Sequence, residues 1–177
     1  MMPPLSPLEQ TLSRWQNEPG IYPNIVESRE IPAREAVYGR LPEDLHPALK
    51  HVLQSSGIAR IYSHQAAAFE AASSGLNVVM STGTASGKSL GYQLPVLNIL
   101  LNDPSARALF LFPTKALGND QVRSMADLLQ RLNPISGATP IHVAAYDGDT
   151  PASQRPSIRA QARILLTNPD MLHIGIL

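Results

Sequence analysis

Three observations predict an α/β fold. Four continuous apolar runs, "NVVMS", "ALFLF", "IHVAA" and "ARILLTN", succeed one another with helix-compatible stretches between them. Uninterrupted apolar strands are buried on both faces, which suits a mostly parallel sheet with helices on both faces. A glycine-rich turn also follows the first run directly and opens into an apolar helix.

The elements follow in order. Leu8, Leu12 and Trp15 share a helical spacing that stops at "NEPG". "NIVESREIPAREAVYG" alternates weakly and is broken by Pro32, so it reads as an irregular arm or an edge strand. Leu45 to Gln54 is predicted helical, ending near Gly57. Ser63 is the expected N-cap of "HQAAAFEAASSG", whose alanines favour helix and whose Gly75 ends it. The strand "NVVMS" leads through the glycine-rich turn into a helix from about Gly87 to Leu101. "ALFLF" precedes a helix from Lys115 to Leu132. After "IHVAA" come a polar loop and a short helix near Pro151 to Ala160, then "ARILLTN", a turn, and Met171 to Ile174. The expected organisation is an N-terminal extension over residues 1–57 and a partial nucleotide-binding domain over 58–177.

Composition narrows the function. With 44% hydrophobic and 16% charged residues in 177, the chain is globular rather than disordered. It lacks a membrane-length apolar run or a secretory start, so a soluble, cytoplasmic protein with no membrane partner is expected. Cysteine is absent, which excludes disulfides and thiolate zinc sites. Fourteen basic residues balance fourteen acidic ones, so any nucleic-acid contact must be local.

The segment "STGTASGKS", Ser81 to Ser89, approaches the pattern G-x-x-x-x-G-K-[ST], with Thr82 in place of the first glycine. A strand, a tight turn and a helix start gather backbone N–H groups and a helix dipole around one point, which suits a polyphosphate. The expected cradle is Thr82, Gly83, Thr84, Ala85, Ser86, Gly87, Lys88 and Ser89. Lys88 would reach the β- and γ-phosphates of ATP as the catalytic cation, and Ser89 would ligate Mg²⁺. Gly87 is required where backbone lies against phosphate. Read blandly, "SGKS" is a polar surface turn, but the flanking strand and helix argue for the cradle. Gln65 stands 23 residues before Lys88 and can read adenine through its paired amide donor and acceptor, with Tyr62 against the base.

These residues resemble the DEAD/DEAH-type helicases of superfamily two. "TGTASGKS" is similar to their motif I, with Thr82 where alanine is usual and Ala85 where glycine is frequent, and Gln65 stands where their Q motif has its glutamine. "PTKALGNDQ" is similar to motif Ia and "TNPDML" to motif Ib. "YDGDTPASQR", with "EIPAREAVYGRLPEDLHPAL" and "YSHQ", resembles the subgroup that in bacteria includes mitomycin-repair helicases with a C-terminal four-cysteine zinc module. The likeness spans about Ile31 to Leu177. It implies a RecA-like domain, ATP and Mg²⁺ as cofactors, and single-stranded or tailed DNA as partner. It also implies strand contacts from Pro113, Thr114, Lys115, Asn119, Gln121, Gly148, Thr167, Asn168, Pro169 and Asp170. Their position after apolar strands fits this, because open α/β sheets bind ligands at their carboxyl edge and hydroxyl, ammonium and amide donors suit sugar and phosphate oxygens. Separately, "FPTKAL" reads equally as a capped helix start and "TNPD" as a turn. Asp147 and Asp149 read as a tight turn rather than a metal pair, and His64, His142 and His173 as structural or solvated residues.

All seven glutamates precede Ala71, so the Asp-Glu pair such enzymes need for hydrolysis is absent from the later part of the chain. The expectation is an N-terminal portion of a longer helicase, cut before motif II and lacking the second RecA-like domain that would supply arginine fingers. It would bind ATP without turning it over, and its sheet would have an uncovered edge at "ARILLTN". Two other classes stay open: a small-molecule or nucleotide kinase, and a non-catalytic strand-binding module.

Overall fold

The computed structural model describes residues 6–29, 31–32, 35–83 and 86–175, which form two compact units, Met1–Glu35 and Ala36–Leu177. The division falls earlier than the expected boundary at 57/58. Residues 36–57 join the second unit because their apolar side chains, Leu45, Leu49, Val52 and Leu53, are buried in its core.

The first unit carries helix α1 (Pro7–Asn17) as predicted. Pro7 sits in its first turn, and Ser6 and Glu9 form a reciprocal capping box: the Glu9 N–H donates to Ser6 Oγ and the Ser6 N–H to Glu9 Oε2. None of its residues is buried. The irregular arm that follows includes described residues without strand pairing, with residues 30, 33 and 34 outside the description.

In the second unit, strand β1 (Tyr38–Gly39) pairs antiparallel with β2 (Ile61–Tyr62), with helix α2 (Pro47–Ser55) between them. Helix α3 (Ser63–Ser73) follows, and its N-cap is Tyr62 rather than Ser63. The cap moves back one residue because Gln65 folds over, its Oε1 accepting the Tyr62 N–H at 2.8 Å. Helix α4 (Lys88–Asn102) and strand β3 (Ala108–Leu111) come next, then helix α5 (Lys115–Ser136), which runs past the predicted end through Pro134 to Gly137. Strand β4 (Val143–Ala145), helix α6 (Arg155–Gln161), strand β5 (Ile164–Thr167) and helix α7 (Pro169–Gly175) complete the order.

The main sheet is parallel with order β3-β5-β4, and Leu109 and Ala144 both stand opposite Leu165. Two sequence expectations are corrected here. "NVVMS" is not a strand: residues 77–81 have no regular secondary structure and no sheet partner among the described residues, and Val79 is 93% exposed. An apolar run becomes a strand only when a neighbour takes its backbone groups, and among the described residues the three strands of this sheet pair only with one another. "ARILLTN" is not the uncovered edge either, since β5 lies in the middle and, among the described residues, the unpaired edges belong to β3 and β4. The core gathers Phe69 of α3, Leu94 and Leu97 of α4, Leu132 of α5 and Ile164 of β5, all essentially inaccessible to solvent.

Beneath the sheet, Arg163 is buried. Its Nη2 donates to the carbonyls of Leu100 (2.7 Å) and Asp103 (2.6 Å), its Nε to Ala106 (3.3 Å) and its Nη1 to Thr139 (3.4 Å). One guanidinium thus ties the end of α4 to the segments entering β3 and β4. Arginine suits this place because its planar fork presents five donors at fixed angles.

Candidate functional site

The glycine-rich loop lies between α3 and α4 and is held by the first turn of each. Gly87, the N-cap of α4, adopts φ 73° and ψ 25°, a left-handed conformation that glycine reaches without steric cost. A Cβ there would lie 2.6 Å from Gln65 Nε2 and would force that amide to shift, so glycine is favoured on two counts. Gln65 is buried, and its amide is engaged on both sides: Oε1 accepts from Tyr62, and Nε2 donates to the Gly87 carbonyl at 2.7 Å. The neighbouring His64 donates through Nε2 to the Ser86 carbonyl at 3.0 Å. His64 is therefore attached to the loop, a contact across 22 positions that no local pattern in the sequence predicts.

Lys88 opens α4 and turns into the loop rather than toward solvent. Its Nζ donates to the Thr82 carbonyl (2.9 Å), the Gly83 carbonyl, Thr82 Oγ1 (3.3 Å) and Ser86 Oγ (3.4 Å). Thr82, which replaces the first glycine of the pattern, shares a 2.6 Å hydrogen bond between its hydroxyl and that of Ser86. The ammonium thus draws together oxygens from both sides of the turn. Thr84 and Ala85 lie outside the described residues. Ser89, half-buried in the first turn of α4, has no hydrogen-bond partner for its hydroxyl among the described residues. A single hard oxygen beside a phosphate cradle fits Mg²⁺, which takes few protein ligands and fills its shell with phosphate and water.

Beside the loop is a cavity of about 510 Å³ lined by Tyr38, Arg60, Tyr62, Gln65, Gly87 and Ser89, among others. Tyr62 stacks on Tyr38 at 5.2 Å and on His64 at 5.5 Å, and the Arg60 guanidinium lies 4.7 Å over the Tyr38 ring. Sequence reasoning singled out Tyr62 and passed over Tyr38 and Arg60. The antiparallel register that places Tyr38 opposite Tyr62 joins segments separated by all of α2.

The second group of expected residues gathers at the carboxyl ends of β3 and β5. Thr114, Lys115, Asn119, Thr167 and Asn168 line one small cleft with Asp147. Thr114 caps α5 by accepting the Leu117 N–H at 3.3 Å. Lys115 Nζ meets Asp149 Oδ1 at 2.9 Å, and this hydrogen bond, more than the Coulomb attraction of Asp149 and Asp147, holds the ammonium pKa above the ordinary lysine value. Gly148 lies beside the same ammonium. Thr167 is buried and its hydroxyl donates to the Tyr146 carbonyl, so its proton is not offered to a ligand. Gln121 faces elsewhere, accepting from the Tyr92 hydroxyl at 2.8 Å, and with Pro113, Pro169 and Asp170 it is not among the cleft-lining residues. Asp147 and Asp149 form a turn, Asp147 Oδ1 accepting the Asp149 N–H at 2.9 Å. No three acidic, histidine or cysteine side chains cluster as metal ligands among the described residues. No described helix is long and apolar enough to cross a membrane.

Comparison with known proteins identifies the family. The model of the family described as DEAD/DEAH box helicase matches residues 62–177. Among curated relatives, the ATP-dependent helicase hrq1 of Schizosaccharomyces pombe is 42% identical over 96% of this chain and 16% of its own length. The uncharacterized ATP-dependent helicase YprA of Bacillus subtilis is 41% identical over 87% of this chain and 20% of its own. Among solved structures, the DUF1998 helicase MrfA bound to DNA superposes with a TM-score of 0.83 at 38% identity, covering 98% of this chain and 23% of that one. Its form bound to DNA and AMPPNP gives 0.77 at 40% identity, covering 82% and 20%. The chain therefore spans about a fifth of the length of the proteins it matches.

Proposed function

The chain belongs to the DEAD/DEAH box helicase family, and on that premise we propose that it is the ATP-gripping and strand-holding part of an ATP-dependent DNA helicase or translocase. The observation that carries the reading is the loop itself. A left-handed Gly87 passes directly into α4, Lys88 is turned inward among the loop oxygens, and the aromatic cavity opens alongside. Triphosphate would replace the loop oxygens around Lys88, with Ser89 as the protein's contribution to Mg²⁺. The base would lie against the Tyr38 and Tyr62 rings. Gln65, whose amide already serves two backbone groups, could add to base recognition only through its remaining lone pair and proton.

The cleft at β3 and β5 would hold one strand's backbone through Lys115, Thr114, Asn119 and the Asn168 amide, leaving bases unread. In a complete enzyme, ATP would bind between this domain and a second RecA-like one, and hydrolysis would release the grip. The kinase and strand-binding alternatives receive no support from the family match. Titration with an ATP analogue tests the reading: the chain should bind it, and Lys88→Ala should lose about a hundredfold in affinity, because charge-assisted bonds to phosphate disappear. Neither protein should show steady-state ATP turnover. Equal binding by both, or turnover above the Lys88→Ala background, defeats it.

A further inference from the structure

Both carbonyls at the mouth of the loop are pulled toward the first turn of α3. His64 holds the Ser86 oxygen at 3.0 Å and Gln65 the Gly87 oxygen at 2.7 Å. A carbonyl has no proton to give, so His64 Nε2 must carry one. No described peptide bond is cis, and in a planar trans peptide the C=O and the following N–H point in opposite directions. With the Ser86 and Gly87 carbonyls drawn toward α3, the Gly87 and Lys88 N–H groups are driven away from it. Neither N–H has a partner among the described residues. A left-handed residue followed by a right-handed one is also the backbone sequence that makes successive N–H groups converge on an anion.

We propose that His64 is a positioning residue for the phosphate loop: by fixing the Ser86 peptide plane it aims the Gly87 amide at a bound polyphosphate, while its stacking on Tyr62 fixes the ring that does so. The inference rests on the nucleotide reading above and adds a residue to it. Because the bond needs a donor at Nε2, the side chain must have that reach and that proton rather than a particular charge. Glutamine at 64 meets both requirements and alanine neither.

The test measures binding of a fluorescent ATP analogue to the chain and its displacement by ATP and by inorganic tripolyphosphate. His64→Ala should weaken both competitors about fivefold, the effect of one lost hydrogen bond, and His64→Gln should restore most of the loss. Unchanged affinities in His64→Ala overturn the proposal. So does a loss confined to ATP, which would place the action of His64 on the base side, or a failure of glutamine to rescue. Absence of binding by the unmutated chain would instead defeat the nucleotide reading.

Discussion

The two candidate binding regions of the second unit are held in different ways. The cleft lined by Thr114, Lys115 and Thr167 stands on β3 and β5, whose residues pair in parallel register from Ala108 with Ile164 to Leu111 with Thr167. The glycine-rich loop has no such foundation, since residues 77–81 leading into it lack a sheet partner among the described residues. Its shape comes from side chains that bind backbone: His64, Gln65 and Lys88. A sheet spreads its constraint over many hydrogen bonds, whereas a loop pinned by three side chains concentrates it. Single substitutions should therefore disturb the loop locally, and should disturb the sheet only where one residue gathers several of its ties.

Arg163 is that residue. Arg163→Met keeps most of the buried volume but strips donors from four carbonyls and should cost about 3 kcal/mol of stability, read by urea unfolding. A loss below about 1 kcal/mol would mean that the carbonyls find water instead, and that the sheet half has no such concentrated point.

The opposite signature is expected at Gly87. Alanine there must adopt φ near +73° and meet Gln65 Nε2 at 2.6 Å, so the Gln65 clasp has to yield. The strain should cost only about 1–2 kcal/mol, because the buried core does not depend on the loop. The ATP analogue should nevertheless bind about tenfold more weakly, since the amides lose their aim. A Gly87→Ala protein that unfolds outright would erase the contrast between the two regions, because the loop would then be a structural support.

The same contrast decides what the sequence could disclose. Both regions were legible where pattern is local: the glycine and lysine of the loop, the helix starts at Lys88 and Lys115, and the strands that bring Thr114 and Thr167 to one edge. What stayed hidden depends on pairing between distant segments. "NVVMS" has a strand's composition, but strand formation is a property of neighbours, and none of the described strands accompanies it. Tyr38 and Arg60 became part of the cavity only through the β1–β2 register, and His64 only through its bond to a residue 22 positions away. Spacing points to Gln65 as an adenine reader, yet its amide is engaged with backbone on both sides, which spacing cannot reveal.

The smallest effect expected is at the cleft. Lys115 stands where a strand phosphate would be gripped, but it already holds Asp149 at 2.9 Å, with both side chains largely open to solvent. The Asp149 hydrogen bond raises the lysine pKa, so the contribution of this pair is present at neutral pH and is lost only as pH rises through that raised value. A phosphate must displace the carboxylate to reach the ammonium, and exposed, screened pairs of this kind are weak. Asp149→Asn should therefore tighten single-stranded DNA binding by no more than about threefold at roughly 50 mM salt. Lys115→Ala should weaken it and reduce the salt slope by about one. The decisive measurement is the double substitution, by fluorescence anisotropy with labelled oligothymidylate. If Asp149 acts by occupying Lys115, the gain from asparagine vanishes once the lysine is gone. If the gain persists, Asp149 merely repels DNA at a distance, and the cleft is tuned by its overall charge rather than by one exchangeable contact.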